Sequence, residues 1–242
     1  MCTVTYIPAG DKYFISSNRD EKTSRSNAIA PALYEINNKK MIFPKDGDAG
    51  GSWTALHENR NAAVLLNGAF ENHIAMPPYR ESRGKVFLNI IGDGRPVRCF
   101  HQLDLDGIEP FTLIILEKDG LYDCRWDGKK KYCQQLEKHR PYIWSSATLY
   151  DRNIVSKREQ WFDSFLNSHP HPTQKDILEF HQFAGDGDMH NNLLMERDGV
   201  YATVSITSML LTEDRGSMKY LDLKDNRLTE RKIEFESSYE LI

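Results

Sequence analysis

Polar and apolar residues alternate from the start of the chain, with Thr3 and Thr5 set against Val4 and Tyr6. A Pro-Ala-Gly-Asp turn follows at 8–11, then Lys12 to Ser17 with Tyr13, Phe14 and Ile15. Alternation, turn and alternation predict a β-hairpin. That hairpin puts Cys2 at the start of one strand and Asn18-Arg19-Asp20 at the end of its partner, and in an antiparallel pair those ends are neighbours. SWTALH (52–57) and NAAVLLN (61–67) read as two more strands. The period then changes: apolar residues at 86, 87, 90 and 91 predict a short helix, with Ser82 as its cap and Gly92 and Gly94 at its end. FTLIILE (111–117), LYDCRW (121–126) and KKYCQQLE (130–137) form a meander joined by Asp-Gly turns. Ile154, Val155, Trp161, Phe162, Phe165 and Leu166 make a helical stripe over 154–166. A second helix is predicted over 173–183, with Thr173 and Asp176 as a capping box and HPHP (169–172) as the turn before it. The last quarter reads as strands again: NLLMERDG, VYATVSIT, SMLLTED, MKYLDL and RLTERKIEF. Strands at both ends with helices between them predict an α+β architecture. No linker or repeat interrupts it, so one domain over 1–242 is expected.

Composition narrows the function classes. The 242 residues carry a net charge of -4, with pI near 6.1 and mean hydropathy -0.58. That balance supplies no field for nucleic acid. The longest apolar run, FTLIIL at 111–116, is far too short to span a bilayer. No stable membrane insertion is therefore expected. Pro8, Asp11 and Lys12 break up the N-terminal region, so no secretory leader is read and the cytoplasm is the expected location. The Lys129–Lys131 run reads as a hairpin tip kept soluble by charge. Cys2, Cys99, Cys124 and Cys133 show no CxxC spacing, so free thiols are expected and neither a zinc site nor a thioredoxin-like motif. Asp186, Asp188 and His190 in GDGDMH lack the ligand run of a calcium loop. No metal and no cofactor are predicted.

One group of residues suggests chemistry. With Met1 removed, Cys2 carries a thiol and a free α-amine; an α-amine titrates near ~8 and can take the thiol proton near neutral pH. Arg19 can favour the thiolate, Asp20 can anchor the ammonium, and the Asn67 side-chain amide can donate to an oxyanion, with Gly68 letting a substrate approach. Each has a plainer reading: Cys2 as a small hydrophobe, Arg19-Asp20 as a structural ion pair, Asn67-Gly68 as a hairpin turn. Gly51 and Trp53 in GGSW are a pocket wall and a substrate-facing ring, or a turn and a buried indole. Arg83 is a ligand for an acidic group, or a poorly placed charge at a helix start.

MC at the start, SNRDE (17–21), GGSW (50–53), LLN (65–67) and SRG (82–84) resemble, in order and spacing, the NRDE family, also called the transport and Golgi organisation protein 2 family. The resemblance implies membership of the N-terminal-nucleophile hydrolase superfamily, similar to choloylglycine hydrolase and penicillin V acylase. It implies a four-layer αββα sandwich of two antiparallel sheets. It also implies a cysteine amidohydrolase acting on a small linear amide, with Cys2, Arg19, Asp20 and Asn67 catalytic and Asn18, Gly51, Trp53, Tyr79 and Arg83 around the substrate. Two positions depart from that pattern: Ser146 stands where an asparagine is expected, and Val204 where an arginine is expected. They keep a second function open, a binding or trafficking protein for a small hydrophobic molecule such as a lipid or haem, with Trp53 and Tyr79 lining its pocket. A homo-oligomer is compatible with either.

Overall fold

The computed structural model describes residues 3–236. Strands β1 (Thr3–Ala9) and β2 (Lys12–Lys22) form the expected hairpin, with Thr3 opposite Asn18. β2 runs well past Ser17, so Asn18, Arg19 and Asp20 lie inside a strand and not at its end. Next comes a hairpin not foreseen in the sequence, β3 (Ile29–Ile36) and β4 (Lys39–Lys45). Its turn residues Asn37 and Asn38 both have positive φ, at 54° and 59°, as a two-residue primed turn requires. β5 (Thr54–His57) and β6 (Ala62–Asn67) follow as expected. Helix α1 (Arg83–Gly92) starts at Ser82, whose hydroxyl accepts the Lys85 N–H at 3.4 Å. A second short helix, α2 (Pro96–Gln102), has proline in its first turn, where no N–H is needed.

The meander is present as β7 (Phe111–Glu117), β8 (Gly120–Trp126) and β9 (Lys131–Leu136). Asp127 accepts the N–H groups of Lys129 and Lys130 at 2.7 Å each, which shapes the lysine tip. The short β10 (Tyr142–Ser145) precedes α3 (Arg152–Ser168) and α4 (Gln174–Phe183). The expected capping box opens α4, with the Thr173 N–H donating to Asp176 Oδ2 at 2.8 Å. In the last quarter NLLMERDG is not a strand. Only Glu196–Arg197 pairs, as β11, and the remainder turns. VYATVSIT and SMLLTED are one continuous strand, β12 (Tyr201–Leu211), because no turn residue separates Thr207 from Ser208. β13 (Arg215–Asp222) and β14 (Arg227–Glu234) complete the chain.

The strands form two antiparallel sheets. One has the order β10-β1-β2-β12-β13-β14, with β11 on β12; the other runs β3-β4-β5-β6-β7-β8-β9. β13 and β14 of the first sheet meet β3, β4 and β5 of the second, while α3 and α4 cover the first sheet and α1 and α2 the second. The result is the αββα sandwich. Central strands of the second sheet are apolar on both faces, with Val64, Leu66, Leu113 and Ile115 all buried, as a sheet covered on both sides requires. Central strands of the first sheet are buried yet polar: Thr3, Thr5, Ser16, Ser17, Asn18, Arg19 and Asp20 are each below 5% exposed. Among the described residues no helix is long and apolar enough to cross a membrane.

Candidate active site

In a strand, consecutive side chains point to opposite faces. β2 applies that rule to the NRDE residues: Asn18 and Asp20 face the α3–α4 layer, whereas Arg19 faces the second sheet. On β12, the register slips between Thr203, opposite Asp20, and Ser205, opposite Arg19. Val204 is the extra residue of this bulge, a device that re-aims side chains at sites.

On the Arg19 face lies a cavity of about 340 Å³, walled by Arg19, Glu21, Arg25, Asp46, Gly51, Trp53, Asn67, Tyr79, Arg83 and Glu109 among others. The Arg19 guanidinium donates from Nη2 to Asp46 Oδ2 at 2.7 Å, lies 3.6 Å from Glu21, and stacks 4.1 Å above the Trp53 ring. Arg25 adds a second cation, 3.0 Å from Asp46 Oδ1. Asp46 also accepts the N–H groups of Asp48 and Ala49 at 3.1 and 2.8 Å. Burial raises the Asp46 carboxyl, but the Ala49 N–H and the Arg25 and Arg19 guanidinium groups outweigh it and hold the carboxyl below the ordinary carboxylate range. Arg83 is matched to Glu109 at 3.1 Å and donates to the Pro110 carbonyl. Desolvation on burial lowers its pKa against the opposing pull of Glu109. The Trp53 indole nitrogen is buried without a hydrogen-bond partner among the described residues, a donor in want of an acceptor.

GGSW and SRG are two halves of one contact. A Cβ on Gly51 would come within 2.4 Å of the Gly84 carbonyl carbon and 2.7 Å of the Lys85 nitrogen. Ser52 N–H donates to Gly84 O at 3.2 Å, so the two backbones cross directly. The crossing leaves no room for a side chain at Gly51 and little at Gly84, and both glycines also line the cavity. The crossing sets Trp53 and Arg83 in the same wall. Tyr79 joins them, its hydroxyl accepting the Met76 N–H at 2.8 Å. Asn67 closes β6 and lines the cavity, but the Asn67-Gly68 pair is no hairpin turn, since a long segment to α1 follows. Gly68 has φ +77°, and a Cβ there would meet the Thr148 Cγ2 at 2.9 Å and the Ala147 Cβ at 3.3 Å. That loop, not a substrate, occupies the space left by the missing side chain. Ser146 donates to the Asn67 carbonyl at 2.9 Å, and its neighbour Ser145 pairs with Thr3. Through this bridge the start of β1 and the end of β6 adjoin.

On the opposite face, Asp20 accepts from the Tyr150 hydroxyl at 2.8 Å and the Thr203 hydroxyl at 2.5 Å. The fully buried Arg158 stacks 3.6 Å from the Tyr150 ring, bonds Thr3 Oγ1, and donates to the Asn192 carbonyl at 2.8 Å. Asn18 does not reach the cavity. Its amide donates to the carbonyls of His181 and Leu193 at 3.1 and 2.7 Å. Its Oδ1 is therefore the acceptor facing His181 Nδ1, so that nitrogen carries the proton and Nε2 accepts from the Thr5 hydroxyl, 2.8 Å away. Burial, with Arg158 nearby, lowers His181 to about 3. The expected substrate contact at Asn18 is thus a buried structural network. Cys2, the expected nucleophile, lies outside the described residues.

Asp46, Tyr150, Thr203 and Arg158 were not singled out in the sequence. They stand far from SNRDE along the chain, and no spacing rule ties them to it.

Two covered antiparallel sheets with their helices define the N-terminal-nucleophile hydrolase fold. Solved structures with it include the Caenorhabditis elegans ortholog of N-acylethanolamine-hydrolyzing acid amidase, at TM-score 0.60 and 12% identity over 86% of this chain and 92% of that one. A mutant conjugated bile acid hydrolase from Clostridium perfringens matches at TM-score 0.58 and 9% identity over 98% and 97%. A second variant of the same hydrolase matches at 0.56 and 8% over 97% of both chains. At these identities the likeness is one of fold. No curated protein matches the chain significantly by sequence. The chain belongs to the family described as Transport and Golgi organisation 2, which matches residues 1–222.

Proposed function

We propose that the protein is a cysteine amidohydrolase that cleaves a small linear amide by the N-terminal-nucleophile route. The observation that carries the reading is the placement of Arg19 and Asp20 on either face of β2, one in the wall of a cavity and the other held by two hydroxyls, with Thr3 paired to Asn18 beside them. Cys2 immediately precedes Thr3 in the chain. In this reading the Cys2 sulfur attacks the amide carbonyl carbon while its proton passes to the α-amine. The amine, anchored by Asp20, then protonates the leaving nitrogen as the C–N bond breaks, and water hydrolyses the thioester left behind. Asn67 donates to the oxyanion. Arg19 is already balanced by Asp46, so it orients more than it adds net positive charge. The related fold of an N-acylethanolamine-hydrolyzing amidase and a conjugated bile acid hydrolase supports the same chemistry.

A binding role for a hydrophobic molecule has two observations in its favour: Ser146 has its hydroxyl engaged with the Asn67 carbonyl and Thr148, and Val204 is apolar. The three arginines and their carboxylate partners in the cavity wall weigh against a wholly apolar ligand. The test is hydrolysis of a panel of acyl amides by the full chain and by its Cys2→Ser variant, with intact mass recorded for both. Turnover by a species lacking the initiator methionine, abolished in Cys2→Ser, is expected. Equal background rates in the two proteins, or a retained methionine, would overturn the proposal.

A further inference from the structure

Cys124 on β8 and Cys133 on β9 stand directly opposite one another. The Asp127 N–H donates to the Lys130 carbonyl at 3.2 Å, and hydrogen-bonded pairs alternate along an antiparallel ladder. Residues 125 and 132 are therefore such a pair, and 124 and 133 are a non-hydrogen-bonded one, the closer kind at about 4.5 Å between α-carbons. A disulfide accepts α-carbons about 4.4 to 6.8 Å apart. The two sulfurs lie 2.6 Å from each other, so little movement separates this contact from a bond of about 2.05 Å. The residues differ in access: Cys124 is fully buried, whereas Cys133 is half-buried on an edge strand. The thiol contact also divides their roles. It raises the Cys124 thiol, together with burial, and lowers the Cys133 thiol.

We propose that Cys124 and Cys133 form a reversible thiol–disulfide site, oxidised by a low-molecular-weight disulfide such as glutathione disulfide. The Cys133 thiolate attacks one sulfur of the oxidant, whose S–S bond breaks to release one glutathione thiolate and leave a mixed disulfide on Cys133. Cys124 then loses its proton to solvent and its sulfur attacks Cys133 Sγ, expelling the second glutathione thiolate. Two protein thiols are oxidised, one glutathione disulfide is reduced, and the two protons end on the two glutathione thiols. The cross-link ties β9 to β8 beside Arg125. That residue donates to the Ala69 carbonyl at 2.9 Å and lies 4.9 Å from the Phe70 ring, where the segment leading to the cavity wall begins.

The test exposes the reduced full chain to glutathione disulfide, alkylates remaining thiols, and maps peptides by mass spectrometry. A peptide joining Cys124 to Cys133, lighter by two hydrogen atoms and restored by dithiothreitol, is expected, with Cys99 still alkylated. Cys124→Ser is expected to stall with glutathione on Cys133, and Cys133→Ser to leave Cys124 alkylated. Wild-type protein that retains glutathione on Cys133, or in which both cysteines remain alkylated, would overturn the proposal without reference to either variant.

Discussion

Replacing Asp46 with asparagine isolates one charge in the cavity wall. An asparagine oxygen can still accept the Asp48 and Ala49 N–H groups, so the turn after β4 keeps its hydrogen bonds. What is removed is the anion 2.7 Å from Arg19, a side chain only 5% exposed. Breaking a buried pair while leaving its partner charged costs about 3 to 5 kcal/mol. Glu21, 3.6 Å from the same nitrogen, offsets part of that loss, whereas Arg25 is 35% exposed and screened, so it adds little. A loss of about 3 kcal/mol is expected, a large share of the roughly 5 to 15 kcal/mol that holds a domain folded. Urea unfolding followed by tryptophan fluorescence measures it, with Trp53 reporting from directly beneath Arg19. The matched test is Arg19→Met combined with Asp46→Leu, which removes both charges. It should be less destabilised than the sum of Arg19→Met and Asp46→Leu made singly. Additive single losses, or a drop below about 1 kcal/mol for Asp46→Asn, would show that Arg19 is solvated from the cavity and does not depend on Asp46.

Three other outcomes are expected. Gly51→Ala should lose at least about 1 to 3 kcal/mol in urea unfolding, since its Cβ meets the 84–85 backbone, which cannot swing aside as a side chain would; unchanged stability would mean that the loop before β5 and the start of α1 separate easily. Tyr150→Phe should lose about 1.5 to 3 kcal/mol by withdrawing a hydroxyl from the Asp20 carboxylate, and a midpoint shift equivalent to less than ~0.5 kcal/mol would contradict it. His181, lowered to about 3, is neutral in the folded protein while the unfolded chain protonates near ~6.5, so the unfolded state binds the extra proton. Its contribution to stability is complete above that unfolded value and declines as pH falls from ~6.5 towards the folded one, by up to about 1.4 kcal/mol per pH unit. In urea titrations between roughly pH 4.5 and 6.5, His181→Gln should flatten that slope, and an unchanged slope would assign the proton elsewhere.

Elements with a clean period or a local stop signal were legible in the sequence. The first hairpin, the 111–136 meander, α1 from Ser82 and α4 from Thr173 all follow rules that need no distant partner. The β3–β4 hairpin was not, because Lys39, Lys40 and the paired asparagines present a polar surface, and Met41 to Phe43 are buried only once the sheets and α1 close over them. The 192–199 segment shows the opposite failure. Its leucines and methionine suggest a strand, yet Leu193 and Met195 are buried by packing against neighbouring elements without a ladder. For the candidate site, SNRDE lies on the strand that carries Arg19 to the cavity, and GGSW and SRG both lie in the cavity wall. The carboxylate that balances Arg19 and the hydroxyls that hold Asp20 come from remote segments, and a partner chosen by folding leaves no spacing to read.

The two sheets divide the work of the fold between them. In the second, buried leucines, isoleucines and valines supply the hydrophobic stabilisation, and their burial needs no side-chain hydrogen bonds. In the first, the central strands bury hydroxyls, an amide, a guanidinium and a carboxylate, each costly unless bonded. Most are bonded: Ser16 to Ser208 at 2.8 Å, Asn18 to two carbonyls, Asp20 to two hydroxyls. Ser17 and Thr207, opposite each other on β2 and β12, bury hydroxyls with no partner among the described residues. Apolar residues of similar size would stabilise those positions better, so stability alone does not account for this sheet. The polar character is concentrated along β2, which carries Arg19 and Asp20, and along β1 and β12, which flank it on either side. A strand that must send a cation to one face and an anion to the other needs polar neighbours on both faces, and the hydrophobic second sheet is what allows the fold to tolerate it.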